Sequence, residues 1–130
     1  MAVTKQSLKV MIVDDQNTSR LLMRDALDQI GITNIPFAKD GEEALKMMMT
    51  TPAHIVISDY NMPKLNGLQL LQAIRAYPPT AKTPFIILTG SGDRAVLQQA
   101  IKLGVNNFLP KPVQPAALQK AITAVVGNLK

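Results

Sequence analysis

The chain has 130 residues, 47% of them apolar, and a formal net charge of +5. That length suits one domain, spanning residues 1–130 with a single core, and the apolar share excludes intrinsic disorder. Its 14 basic residues form no Lys/Arg run and are not interleaved with aromatics, so the charge reads as solvated surface and excludes a nucleic-acid footprint.

Residues 9–13, Lys-Val-Met-Ile-Val, predict a first strand that leads into Asp14 and Asp15. Leu21, Leu22, Ala26, Leu27 and Ile30 then recur at helical spacing, and Gly31 closes that helix. A weaker strand over 33–38 contains Pro36, which suits the edge of a sheet. Asp40-Gly41 turns the chain into a helix over 42–49, stopped by Pro52. Residues 55–58 form a third apolar run, ending in Asp59. Asn66-Gly67 opens a helix carrying Leu68, Leu71 and Ile74, which ends near Pro78-Pro79. The strand 85–88 ends in Thr89. Asp93 is the expected N-cap of a helix with Val96, Leu97, Ala100 and Ile101, closed by Gly104. A short run at 107–109 leads to Lys111. The last helix starts at Pro115, where a missing N–H costs nothing, and buries Leu118, Ala121, Ile122 and Val125.

Five strand–helix units without linkers or repeats predict an α/β fold, a five-stranded parallel sheet doubly wound with helices on both faces. The runs at 10, 55 and 85 are continuously apolar, as strands buried on both faces are. Ligands of such sheets bind beyond the carboxyl ends of the strands. Asp14, Asp15, Asp59, Thr89 and Lys111 all fall there.

Two carboxylates about 5 Å apart repel by about 3 kcal/mol at an effective dielectric near 20. Three together call for a raised pKa or a bound cation. Short side chains offering hard oxygens favour Mg²⁺. No cysteine exists and His54 sits at the far end of its strand, which argues against zinc. Asp59 is also a candidate nucleophile towards a phosphoryl group, with Lys111 and a metal supplying positive charge and Thr89 a hydroxyl.

The stretches Val13-Asp14-Asp15, Val56-Ile57-Ser58-Asp59-Tyr60-Asn61-Met62-Pro63, Asn66-Gly67-Leu68, Leu88-Thr89-Gly90 and Phe108-Leu109-Pro110-Lys111-Pro112 together resemble the receiver domain of two-component response regulators. The resemblance runs from about residue 8 to 129 and is greatest to the single-domain chemotaxis regulators. It implies the flavodoxin-like strand order 2-1-3-4-5, an order that spacing alone does not give. It implies that Asp59 accepts phosphate from a chemotaxis histidine kinase. Asp15 would then bind Mg²⁺ directly and Asp14 through water, with Asp59 and the Asn61 backbone carbonyl completing the protein ligands. Thr89 and Lys111 would hold the phosphoryl oxygens, and a cis peptide would precede Pro112.

The same resemblance makes Thr89 and Phe108 a switch: Thr89 moves towards the phosphoryl group and Phe108 turns into the space it leaves, with small Gly90 leaving room. Many relatives carry tyrosine at the position of Phe108. A phenylalanine has no hydroxyl to desolvate, so its inward state should be easier to populate. The output face would comprise the helix from Asp93, the strand holding Phe108 and the helix from Pro115, with Gln98, Lys102, Gln114, Gln119 and Lys120 exposed. Asn61 and Ser91 would flank the path of the water that removes the phosphate.

The expected partners are the kinase and the flagellar motor switch protein, met by a monomer. A 130-residue chain leaves no room for a separate output domain, so it would act by protein contact. Lacking an apolar run near 18 residues, an N-terminal apolar stretch and any cysteine, the chain is expected in the cytoplasm and not in a membrane. Two competing readings are a phosphate sink or phosphorelay intermediate, and a phosphoaspartyl hydrolase. The hydrolase would need a second Asp where Asn61 stands.

Overall fold

In a computed structural model, residues 7–62, 64–90, 94–111 and 113–126 are described. In chain order the elements are β1 Val10–Val13, α1 Asn17–Gln29, β2 Phe37–Ala38, α2 Gly41–Thr50, β3 Ile55–Asp59, α3 Gly67–Ala76, a 3₁₀ turn Pro78–Thr80, β4 Phe85–Thr89, α4 Arg94–Lys102, β5 Asn107–Pro110 and α5 Pro115–Val126. The strands form one parallel sheet in the order β2-β1-β3-β4-β5. Both the fold class and the strand order expected from the sequence are found.

Burial explains the apolar runs. Every residue of β1, β3 and β4 is buried. Val10, Ile12, Ile55, Ile57, Ile86 and Leu88 pack in one cluster with residues of α1 and α5. Met11, Val13, Val56, Phe85 and Ile87 pack in another with residues of α2, α3 and α4. Each side chain as large as Ile57 or Phe85 contributes about 1.5–3 kcal/mol on leaving water.

Helix ends follow their signals. Asn66 caps α3 through a reciprocal pair: its side chain accepts from Gln69 N at 2.9 Å, and the Gln69 side chain accepts from Asn66 N at 2.9 Å. Asp40 caps α2 by accepting from Glu43 N at 2.7 Å. Gly31, at φ +90°, ends α1, with Gly31 N and Ile32 N donating to Asp28 O and Leu27 O. The expected cap Asp93 lies outside the described residues.

Three expectations need correction. The buried stripe of α1 is Met23, Ala26 and Leu27, running on to Ile30, while Leu21 and Leu22 are 49% and 62% exposed. On α4 the buried residues are Val96 and Ala100, Leu97 is half-buried and Ile101 is exposed. The strand expected over 33–38 shrinks to Phe37–Ala38 plus an isolated bridge between Lys9 and Asn34. Pro36 has no N–H for the ladder, although its carbonyl still accepts from Ile12 N at 3.0 Å. This segment does form the sheet edge, as Pro36 suggested.

Candidate functional site

Register and side-chain parity build the site. Val13 pairs with Ser58, and Asp59 with Leu88, so Asp14 and Asp59 emerge side by side where β1 and β3 end. Thr89 pairs with Pro110, and Lys111 N donates to Thr89 O at 2.9 Å, which carries Lys111 to the same edge. Strand side chains alternate between faces. Asp14 follows Ile12, Asp59 follows Ile57 and Lys111 follows Leu109, so all three share the α1/α5 face. Thr89 follows Ile87 in parity and lies towards the α3/α4 face, where Phe108 also packs half-buried. Thr89 and Phe108 are thus on the same side of the sheet.

Lys111 Nζ lies 3.1 Å from Asp59 Oδ2 and 3.4 Å from Asp14 Oδ2. One oxygen each from Asp14, Asp15 and Asp59 lie within 4.8 Å of one another. Asp14 and Asp59 are buried, at 1% and 8% exposure, whereas Asp15 is exposed. Burial pushes the Asp59 carboxyl above its ordinary value; Lys111 opposes that shift and Asp14 adds to it. Thr89 is buried and Asn61 is exposed in the loop beyond β3. Ser91 and Pro112, and with Pro112 the expected cis peptide, lie outside the described residues.

The donors fit a divalent ion. Three carboxylate oxygens this close, partly out of water, repel by about 3 kcal/mol per ionised pair, and a single ammonium cannot neutralise them all. Hard oxygens of mixed exposure suit Mg²⁺, which holds few protein ligands and keeps its own waters.

Surrounding residues fix these groups. Gln16 N donates to Asp14 Oδ1 at 2.9 Å, and Arg20 Nη1 donates to the Asp14 carbonyl at 2.7 Å. Sequence reasoning missed Arg20; its only signal is a place one helical turn after Asn17, whose side chain accepts from Arg20 Nη2. A groove of about 570 Å³ between α1 and the start of α5 opens on Asp14 and Lys111, with Leu22, Met23, Val113 and Pro115 along its walls. Leu22 is therefore exposed as part of a wall. Gln98, Lys102, Gln114, Gln119 and Lys120 are all exposed. A Cβ added at Gly90 would meet nothing within 4 Å, so the room there does not depend on glycine.

Gly67 differs. A Cβ there would lie 2.7 Å from Asp59 O and 3.0 Å from Tyr60 Cα, because α3 begins against the peptide that carries Asp59. Gly67→Ala is expected to destabilise the fold by about 1–3 kcal/mol through overpacking. Gly90→Ala should stay within about 0.5 kcal/mol of the parent. Thermal melts of the two variants check this contrast.

Comparison with known proteins agrees with this geometry. Residues 10–123 match the response regulator receiver domain. A Rhizobium etli protein named "Probable chemotaxis protein CheY" is 54% identical over 125 residues, covering 96% of this chain and 97% of that one. Chemotaxis protein CheY1 of Helicobacter pylori is 34% identical, covering 93% and 98%. Among solved structures, Vibrio cholerae chemotaxis protein CheY4 superposes with a TM-score of 0.83 at 30% identity, covering 91% and 98%.

Proposed function

Because this chain belongs to the response regulator receiver domain family, we propose that it is a single-domain chemotaxis response regulator. In this reading a histidine kinase phosphorylates Asp59 in a Mg²⁺-dependent reaction, and the product signals to the flagellar motor switch by protein binding. The chain acts as a cytoplasmic monomer whose only chemistry is its own phosphorylation and dephosphorylation. The observation that carries this reading is the Asp59 carboxylate held 3.1 Å from Lys111 Nζ beside two further aspartates.

Asp59 attacks the phosphorus of the donor phosphohistidine. The new O–P bond forms as the P–N bond breaks, and its electron pair leaves on the imidazole nitrogen, which takes up a proton. Lys111 faces the oxygens on which charge accumulates, and the Thr89 hydroxyl donates to one of them. Asp14, Asp15, Asp59 and the Asn61 carbonyl are the groups that would hold Mg²⁺, which supplies positive charge to the phosphoryl oxygens when bound. The groove beside α1 gives the donor side chain its approach. An aspartyl phosphate carries about −1.5 to −2 charges, enough to draw Thr89 and bias Phe108 inward, which changes the α4–β5–α5 surface.

Incubation with a chemotaxis kinase and ATP should place one phosphoryl group per chain, labile to hydroxylamine and absent in EDTA. A motor-switch peptide should then be retained by beryllofluoride-treated protein and not by untreated protein. Phosphorylation without peptide retention would identify a phosphate sink or relay instead.

A further inference from the structure

Two contacts away from the carboxylate cluster bear on residues 60–62 and 64–66, the described part of the loop that leaves it. Lys64 has φ +68°, the one positive value among the described non-glycine residues, a region where a Cβ crowds the backbone and residues other than glycine are strained. Its ammonium lies 3.7 Å from Asp40 Oδ2, on the residue that caps α2. The next residue, Leu65, sits on the first turn of α2 so closely that a Cβ at Gly41 would lie 2.6 Å from Leu65 Cβ and 2.7 Å from its carbonyl oxygen. At the other end of the loop, Gly67 N donates to Tyr60 O at 2.8 Å. The described loop residues are therefore held twice, Tyr60 by the start of α3 and Lys64 and Leu65 by the start of α2. Asn61 lies between the two holds.

We propose that the Asp40–Lys64 ion pair, with Leu65 seated on Gly41, is a positioning clasp: it sets where the Asn61 backbone carbonyl lies, and so how tightly the Asp14–Asp15–Asp59 cluster holds a divalent cation. This rests on the reading of that cluster as a Mg²⁺ site. None of the four clasp residues is among the groups that would hold the ion. Their influence passes through the loop backbone, and the strained Lys64 conformation is retained because the pair and the Leu65 contact together hold it.

Electrostatics alone makes a different forecast, so the two are separable. Asp40 is negative and Lys64 positive. If they acted only through their fields, removing Asp40's charge would weaken cation binding and removing Lys64's charge would strengthen it. A clasp predicts that both weaken it. The experiment is a Mg²⁺ titration at low ionic strength, read from the amide NMR shifts of Asp59 and Tyr60, on the parent, Asp40→Asn, Lys64→Gln and Gly41→Ala. Asn still caps a helix, so α2 keeps its start. Asp40→Asn and Lys64→Gln should each weaken Mg²⁺ about threefold, the scale of a partly exposed ion pair. Gly41→Ala should weaken it at least as much, and should hasten metal-free amide exchange at 64–66. Opposite shifts in the two charge variants, or unchanged affinity in both, overturn the clasp, and these two decide if Gly41→Ala fails to fold. A parent that shows no Mg²⁺-dependent shift overturns the metal-site reading itself, and the clasp falls with it.

Discussion

Asp59→Asn is expected to reduce phosphoryl incorporation to background while leaving the fold intact. The amide matches the carboxylate in shape and can still accept from Lys111, so the 3.1 Å contact survives in neutral form. What it lacks is the anionic oxygen that attacks phosphorus. Asp14 and Asp15 remain in the variant, within 4.8 Å of the altered side chain. Both still offer carboxylates, so residual labelling would identify one of them as the acceptor and overturn the assignment of Asp59. Autoradiography of parent and variant after equal exposure to phosphorylated kinase decides the matter.

The same substitution carries a stability signature of opposite sense. The Asp59 carboxyl is raised above its ordinary value of 3.8 by burial, with Asp14 adding to the effect. A raised carboxyl contributes stability below its ordinary value, and that contribution is lost as pH climbs through the raised value. Metal-free parent protein therefore bears an unfavourable buried charge at neutral pH that Asp59→Asn removes. The variant's Tm should exceed the parent's at pH 7, and the gap should close as pH falls below about 4. Asp40 titrates the other way: the Glu43 N–H and then Lys64 hold its carboxyl below the ordinary value, so its contribution is lost as pH falls. Being common to both proteins, it cancels in the difference. Saturating Mg²⁺ should narrow the gap at pH 7 by stabilising the ionised parent.

Much of this site was legible because buried parallel strands leave unbroken apolar runs, and the residue ending each run must stand at one edge of the sheet. Asp14, Asp59 and Thr89 needed no more than that, whereas Lys111 follows β5, which starts on Asn107 and buries only Leu109. Their pairing did need more. Whether Lys111 faces Asp59 or points away depends on the parity of β5 against β3, which the strand register settles and composition does not. Helix faces were less legible where apolar residues outnumber the places to bury them. On α1, Leu21, Leu22, Ala26, Leu27 and Ile30 all satisfy helical spacing, but only the stripe through Met23, Ala26, Leu27 and Ile30 meets the sheet. Leu22 instead lines the groove at the site. The close approaches at Gly41 and Gly67 leave no periodic trace, since each arises where the chain folds back on another of its segments, and the left-handed Lys64 leaves none either.

Lys111→Met should move metal binding and phosphoryl transfer in opposite directions. In the metal-free protein Lys111 is the cation of the cluster, within 3.1 Å of Asp59 and 3.4 Å of Asp14. Removing it strands two largely buried carboxylates. A fully buried pair would lose about 3–5 kcal/mol. Lys111 keeps 27% of its side chain in water, so a loss of about 1–2 kcal/mol is expected. A divalent ion then has no ammonium to compete with, and Mg²⁺ should bind more tightly to the variant and recover most of the lost stability. Transfer should nevertheless slow by about a hundredfold at saturating Mg²⁺, because a positioned charge facing the developing phosphoryl oxygens is gone. Tighter Mg²⁺ with slower transfer separates the two jobs of one ammonium: neutralising the resting cluster and stabilising the transferred group. Transfer at the parent rate would leave Lys111 as a structural counter-ion alone. Weaker Mg²⁺ binding would mean that Lys111 shapes the site more than it competes for it.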